Sequence, residues 1–217
     1  MMDAAGAVAP YIDYLERPAE DVVRDLEAFA AFLFKWNASQ NLVSRETDAS
    51  GIWQRHIADS LQVLKLLQPS DRFMLDVGSG GGFPAIPLAI SSDACRHFWL
   101  VEPIAKKASF LRAAAREIGL KTVHVEQVRV ERMAVEVLPP INVITSRALA
   151  PLPLLIELVA PFFRPTTRAI LHKGREHVDE LAESRAVWQF DVLEHPSDTE
   201  PSGVLLEISN LRYGATR

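Results

Sequence analysis

Between Leu75 and Pro84 the chain reads Leu-Asp-Val-Gly-Ser-Gly-Gly-Gly-Phe-Pro, a glycine-dense turn that directly follows an apolar run. Glycines at 78, 80 and 82 admit backbone conformations closed to residues with a Cβ, so the chain can turn sharply and lie close to a ligand. Pro84 then stands where a helix begins, a position proline tolerates. A strand, a glycine turn and a helix in that order open a βαβ unit, which commits the flanking sequence to a parallel sheet with helices on its faces. The downstream pattern agrees. Residues 73–77, 98–101, 123–126, 143–146 and 169–172 are short apolar runs that predict five strands. Between the second and third, Ile104, Ala108, Leu111, Ala115 and Ile118 repeat at 4-3-4-3 spacing, and Gly119 closes that helix. Residues 187–193 and 204–209 flank a segment rich in Pro, Ser, Asp and Gly, which reads as an antiparallel pair at the sheet edge.

The stretch before Pro69 has a different texture. Val22, Leu26, Phe29, Leu33 and Trp36 form one helical stripe, and the run from Asn37 to Asn41 is expected to end that helix. A second helix is expected to start at a Ser50 cap and to carry Ile57, Leu61 and Leu64 on one face. The expectation is an α/β fold: a Rossmann-like, seven-stranded, mostly parallel sheet with an antiparallel edge. Residues 1–68 form a helical cap, and residues 69–217 carry the sheet, the two packed as one unit.

Glu102 closes the second predicted strand, 20 residues after Gly82, where an acceptor-only carboxylate meets the two hydroxyls of a ribose. A dinucleotide site would want G-x-G-x-x-G, but counting from Gly78 the last position is Phe83. The spacing G-x-G-x-G after Asp76 suits S-adenosylmethionine better. Its carboxylate would meet the helix start, and its sulfonium cation would lie near Asp76. A glycine turn with no ligand is the plain alternative, and the acid at the next strand's end weighs against it.

Composition closes other routes. One cysteine, Cys95, permits no internal disulfide and suits a reducing cytoplasm. The six histidines show no metal-ligand spacing, so no metal is expected. The most apolar stretch, 149–163, is broken by three prolines and Glu157, which excludes a membrane span. With a formal charge of −5 the whole chain gives no hint of nucleic acid, so any RNA contact must be a local basic patch. Lys106, Lys107, Arg112 and Arg116 on the helix after Glu102 are the candidate patch, supplemented by Arg164, Arg168 and Arg175, although a solvated helix face looks the same. His56, Asp59 and Ser60 share a helix face but are poorly placed for a hydrolytic triad.

Several segments resemble one family in order. Trp36-Asn37 with Asn41-Leu42, Arg55-His56-Ile57-Ala58-Asp59-Ser60, the loop from Asp76 to Leu88, Arg129-Val130-Glu131, Ser146-Arg147-Ala148 and Lys173-Gly174 are similar to motifs of the bacterial 16S ribosomal RNA guanine-N7 methyltransferases of the RsmG type. Pro103, after the ribose acid, and His172, before Lys-Gly, depart from what is common there. The resemblance implies a class I S-adenosylmethionine-dependent methyltransferase fold. It implies a cofactor site lined by Gly78, Gly80, Phe83, Glu102, Val130, Glu131 and Arg147, to which the turn itself adds Asp76 and Gly82. It also implies methylation at N7 of the guanine at position 527, in ribosomal numbering, within 16S rRNA of the small ribosomal subunit, with S-adenosylhomocysteine as product. Arg147 and Lys173, at strand ends, are the candidate catalytic residues. Asn41, Arg55, His56, Lys106 and Lys107 are the candidate RNA contacts. The expected state is a cytoplasmic monomer. An adenosylmethionine-dependent methyltransferase of another RNA, a small molecule or a protein, and a non-catalytic RNA-binding module, are the alternatives.

Overall fold

Apolar residues fill both faces of the central strands, as a sheet covered on both sides requires. The computed structural model describes residues 2–44 and 49–214. Its strands are β1 (Phe73–Val77), β2 (His97–Val101), β3 (Val123–Glu126), β4 (Val143–Arg147), β5 (Arg168–Lys173), β6 (Trp188–Pro196) and β7 (Val204–Tyr213). They form one sheet in the order β3-β2-β1-β4-β5-β7-β6. The first five are parallel, whereas β7 runs antiparallel to both β5 and β6. Because β1 pairs with β2 on one side and β4 on the other, the winding reverses there, and ligands bind at such a reversal beyond the carboxyl ends of the strands.

Alternation along the strands divides the core. Met74, Phe98, Leu100, Val143 and Ile170 face one layer, while Leu75, Val77, Val101, Ile144 and Leu171 face the other. The first layer holds α1 (Ala4–Val8), α2 (Ala19–Gln40), α3 (Ala49–Ile52), α4 (Asp59–Leu61), α5 (Ala85–Ser91) and α6 (Ala105–Ile118). The second holds α7 (Leu152–Val159) and α8 (His177–Arg185). The α2 stripe is confirmed: Val22, Leu26, Phe29 and Leu33 are fully buried. Phe29 lies 5.5 Å from the Phe83 ring and 6.4 Å from Phe110, so the helical cap packs directly on the glycine turn and on α6. Burying one such ring contributes about 1.5–3 kcal/mol.

Two helix boundaries depart from expectation. Helix α2 runs through Asn37 to Gln40 and stops at Asn41 in the left-handed conformation, φ 51°. The Asn37 side chain accepts the N–H groups of Leu42 and Val43 at 2.6 and 3.0 Å, so this asparagine fastens the segment that leaves the helix rather than breaking the helix. The next helix begins at Ala49, and the cap expected at Ser50 rests on a side chain outside the described residues. From there α3 passes into a π-turn over Trp53–Ala58, then α4 and a 3-10 turn over Gln62–Leu66. Ile57, Leu61 and Leu64 are buried as predicted. Among the described residues no helix is long and apolar enough to cross a membrane.

Candidate active site

Gly78 and Gly82 set the shape of the turn after β1. Both have positive φ, 75° and 89°. A Cβ on Gly78 would lie 2.7 Å from Leu149 Cδ1, and one on Gly82 would lie 2.7 Å from Cγ1 of the fully buried Ile86, so a side chain at 78 would have to displace Leu149 and one at 82 has no room. The turn is held from below by Glu102. Its Oε2 accepts the Gly80 N–H at 2.9 Å and its Oε1 accepts the Ile104 N–H at 2.8 Å. A carboxylate has about four lone-pair directions. Two backbone donors therefore leave capacity for a diol, although only 4% of the residue is exposed. The first turn of α5 offers less to an anion than the sequence suggested. Pro84 has no N–H, and the Ile86 N–H is given to the Gly82 carbonyl at 2.7 Å. Beside the turn a pocket of about 220 Å³ is lined by Gly78, Val101, Pro103, Val130, Glu131 and Leu149, among others.

Asp76, on β1 opposite Thr145 of β4, is 2% exposed. Its Oδ1 accepts the Thr145 hydroxyl at 2.7 Å, while Oδ2 has no partner among the described residues. Burial pushes its carboxyl up to about 6, against the hydrogen bonds and the Arg147 charge that favour the ion.

Arg147 ends β4 and gathers Arg55, His56 and Asp59, the first two of which the sequence offered as RNA contacts. Its Nη1 donates to the Arg55 carbonyl at 2.9 Å and to Asp59 Oδ2 at 3.1 Å, and its Nη2 lies 2.7 Å from His56 Nδ1. A guanidinium can only donate, so Nδ1 of His56 is the acceptor and the ring is neutral. Burial first, and then the Arg147 charge, lower the His56 pKa to about 4. The guanidinium carbon sits 5.1 Å over the Phe83 ring, with the His56 ring 5.0 Å from it. The π-turn carries Arg55 and His56 one turn ahead of Asp59, and all three meet the same guanidinium. Ser60 is different: fully buried, it donates to the His56 carbonyl and serves the helix alone.

On the far side of Arg147 opens a cleft of about 520 Å³, lined by Arg55, Asp59, Arg147, His172, Lys173 and Thr199 among others. The β4–α7 loop separates it from the smaller pocket. Arg147 and Ala148 line the cleft, whereas Leu149 and Ala150 line the pocket, and the left-handed Ala148, φ 53°, turns the chain between them. Lys173 reaches the cleft, but its ammonium pairs with Glu180 at 2.5 Å and donates to the Ala150 carbonyl at 3.1 Å. An incoming phosphate has to compete with that pair. Lys106 is exposed at the start of α6, on the β2 side of the turn and across the crevice from the cleft; Lys107 beside it is half-buried. Asn41 is exposed at the end of α2, and the Leu42 carbonyl that follows would lie 3.0 Å from a Cβ at Gly81, so this motif seats the cap on the glycine turn. Arg168 is a correction. It starts β5, at the opposite end of the sheet, and its guanidinium is held by Asp71 and Glu207, which leaves it no phosphate to track.

The sequence reading missed Thr145, Gln62, Glu180 and Thr199. Thr145 carries a faint signal, a hydroxyl within an apolar strand, but pairing it with Asp76 needs the β1–β4 register. Thr199 sits in a polar turn with no motif around it. Among the described residues no group of three His, Cys, Asp or Glu side chains is placed to hold a metal ion.

A family model described as rRNA small subunit methyltransferase G, or GidB, matches residues 22–201. The ribosomal RNA small subunit methyltransferase G of Rhodospirillum centenum is 43% identical over 187 residues, covering 86% of this chain and 83% of that protein. Its counterpart from Rhizobium meliloti is 40% identical over 200 residues, covering 90% and 92%. The crystal structure of an O-methyltransferase from Bacillus cereus in complex with SAH superposes with a TM-score of 0.58 at 17% identity, covering 94% and 97% of the two chains. That last likeness is one of fold.

Proposed function

The chain belongs to the rRNA small subunit methyltransferase G family, and from that premise we propose that it transfers a methyl group from S-adenosylmethionine to N7 of the guanine at position 527, in ribosomal numbering, of 16S rRNA. The observation that carries the reading is the β4–α7 loop, one wall shared by a glycine-floored pocket and a larger cleft in which Arg55, Arg147, Lys173 and Arg175 stand among Asp59, Glu176, Glu180 and Glu200. A methyl transferase needs two such sites meeting at one point.

The residues fit the cofactor. Gly78 lines the smaller pocket with its backbone at positive φ, and the free oxygen of Asp76 is a buried acceptor without a partner among the described residues. When bound, the cofactor supplies a methyl group on a sulfonium cation and leaves as S-adenosylhomocysteine. In this assignment Glu102 holds the ribose diol, while Gly78, Val130 and Glu131 border the nucleoside. Gly80, Gly82 and Phe83 keep the turn in shape, and Asp76 provides negative charge below it. Guanine N7 has an in-plane lone pair and no proton to lose, so no general base is required. Alignment is the chain's main contribution, and it supplies about 7–11 kcal/mol in well-oriented reactions. Arg147 orients the acceptor, backed by a neutral His56 that adds no second positive charge. Lys173, once released from Glu180, and Arg55 face phosphate, as do Lys106 and Lys107 across the crevice. The proposed setting is a cytoplasmic monomer acting on the small ribosomal subunit.

Transfer of tritium from labelled S-adenosylmethionine to small subunits that lack the modification tests this directly. Label in a single guanine of 16S rRNA is expected. Label in protein, in another base or nowhere overturns the reading.

A further inference from the structure

Asp59 is engaged by groups from four separate parts of the chain. Its Oδ2 faces Arg147 from β4 at 3.1 Å. Its Oδ1 accepts the Gln62 amide and the Thr199 hydroxyl, both at 2.8 Å. Its main-chain carbonyl lies 2.9 Å from Nε2 of His172 on β5, which donates the proton. Thr199 belongs to the turn between β6 and β7, which the sequence marks only as a sheet edge. That turn folds back over the carboxyl ends of the strands, and Ser197, Thr199, Glu200 and Gly203 line the cleft opposite Arg147. Gln62 ties it down a second time, accepting the Asp198 N–H at 3.0 Å.

The arrangement has a consequence for Arg147. A guanidinium at a strand end with only neutral partners would swing among rotamers, and ordering such a side chain costs conformational entropy. One carboxylate with both oxygens spoken for removes that freedom. Oδ1 is anchored by two neutral donors, so Oδ2 cannot rotate away from Arg147. We propose that Asp59 is the positioning residue that aims Arg147 at the acceptor nucleotide, and that Thr199 fixes Asp59, so the β6–β7 turn and the guanidinium form one rigid acceptor wall. The proposal rests on the reading of the cleft as the acceptor side. Asp59 touches neither reacting atom; it acts through Arg147. His172 completes the anchorage from below.

The test compares the wild type with D59N, T199V and T199S in the full chain, using small subunits as acceptor and S-adenosylhomocysteine as the cofactor-site probe. A hydrogen bond to a charged group supports the sizes expected. D59N should lower kcat/KM for the subunit at least about tenfold, T199V by about threefold, and T199S should recover most of the loss. Affinity for S-adenosylhomocysteine should stay within about twofold throughout. The ¹⁵N resonance of His56 Nδ1 reports where Arg147 sits without any turnover. It should shift in D59N and, by less, in T199V. Wild-type kinetics in both variants, or a parallel loss of cofactor affinity and melting temperature, overturns the proposal. An unshifted His56 resonance in D59N overturns it equally, even if the wild type methylates nothing. Failure of the wild type to label rRNA counts against the functional reading instead.

Discussion

Arg147 and Arg168 sit at opposite ends of neighbouring strands, and both side chains are mostly shielded, 17% and 13% exposed. Their partners differ. Arg168 is gripped by two carboxylates, Asp71 and Glu207, and by the Leu66 carbonyl, so its charge is more than cancelled. Arg147 has one carboxylate, one carbonyl, a neutral imidazole and an aromatic face, so its charge is balanced once rather than twice. A buried charge matched by carboxylates is a clamp, costly to break. One matched largely by neutral groups keeps its attraction for an anion or a base. The amino ends of the strands are built for stability, and the carboxyl ends for binding.

The contrast can be broken most forcefully at the clamp. Replacing Arg168 with Met strands two carboxylates, and a loss of about 3–5 kcal/mol is expected in denaturant unfolding. Cofactor affinity of the molecules still folded should not change. If unfolding is unaltered, the comparison fails at its first arm. Arg147→Ala should do the reverse. Its kcat/KM for the small subunit should fall about 10²-fold through misplacement of the acceptor, with a smaller drop in the denaturant midpoint than for Arg168, because only Asp59 is stranded and it keeps the Gln62 and Thr199 donors. With the Arg147 charge gone, the His56 titration midpoint should also rise from about 4, which NMR can follow.

Asp76 sharpens the same comparison through pH. Its carboxyl is raised to about 6, so the charge is present above that value and lost as pH falls through it. Isothermal titration should find S-adenosylmethionine binding roughly tenfold weaker at pH 5 than at pH 7, one pKa unit below the midpoint. Neutral S-adenosylhomocysteine should bind alike at both. The same shift means that ionised Asp76 costs folding stability above pH 6, a cost relieved as pH falls toward the ordinary carboxylate range. His56 has the opposite sign: its lowered pKa withdraws stability as pH drops from about 6.5 to about 4. Equal pH profiles for the two ligands would remove Asp76 from the site. The smallest effect belongs to Lys106 and Lys107. If both touch phosphate, the double alanine variant should flatten the salt slope of RNA binding by about 1.5.

Much of this was legible in the one-dimensional pattern. Strands and the α6 stripe follow from apolar periodicity, because burial on both faces leaves a local signature at each residue. The glycine turn and Glu102 were equally visible, since a backbone that must turn without a Cβ and an acid at the next strand's end are themselves local. Where local rules competed the reading slipped. Asn37 resembles a helix breaker, yet its side chain satisfies the exposed N–H groups beyond the helix. Arg168 resembles a free cation until Asp71 and Glu207, far away in sequence, are brought to it.

The alternation of strands and helices, the turn at 78–82 and the acid that ends the next strand are written in the chain, because each follows from a short stretch of residues. Which cations are paired, and by how many carboxylates, is written only in the folded molecule. It joined Asp59, Arg147, His172 and Thr199 across 140 residues. The physical reason is that a hydrogen bond depends on distance and direction in space. Strand order and register set both, and no single segment records either.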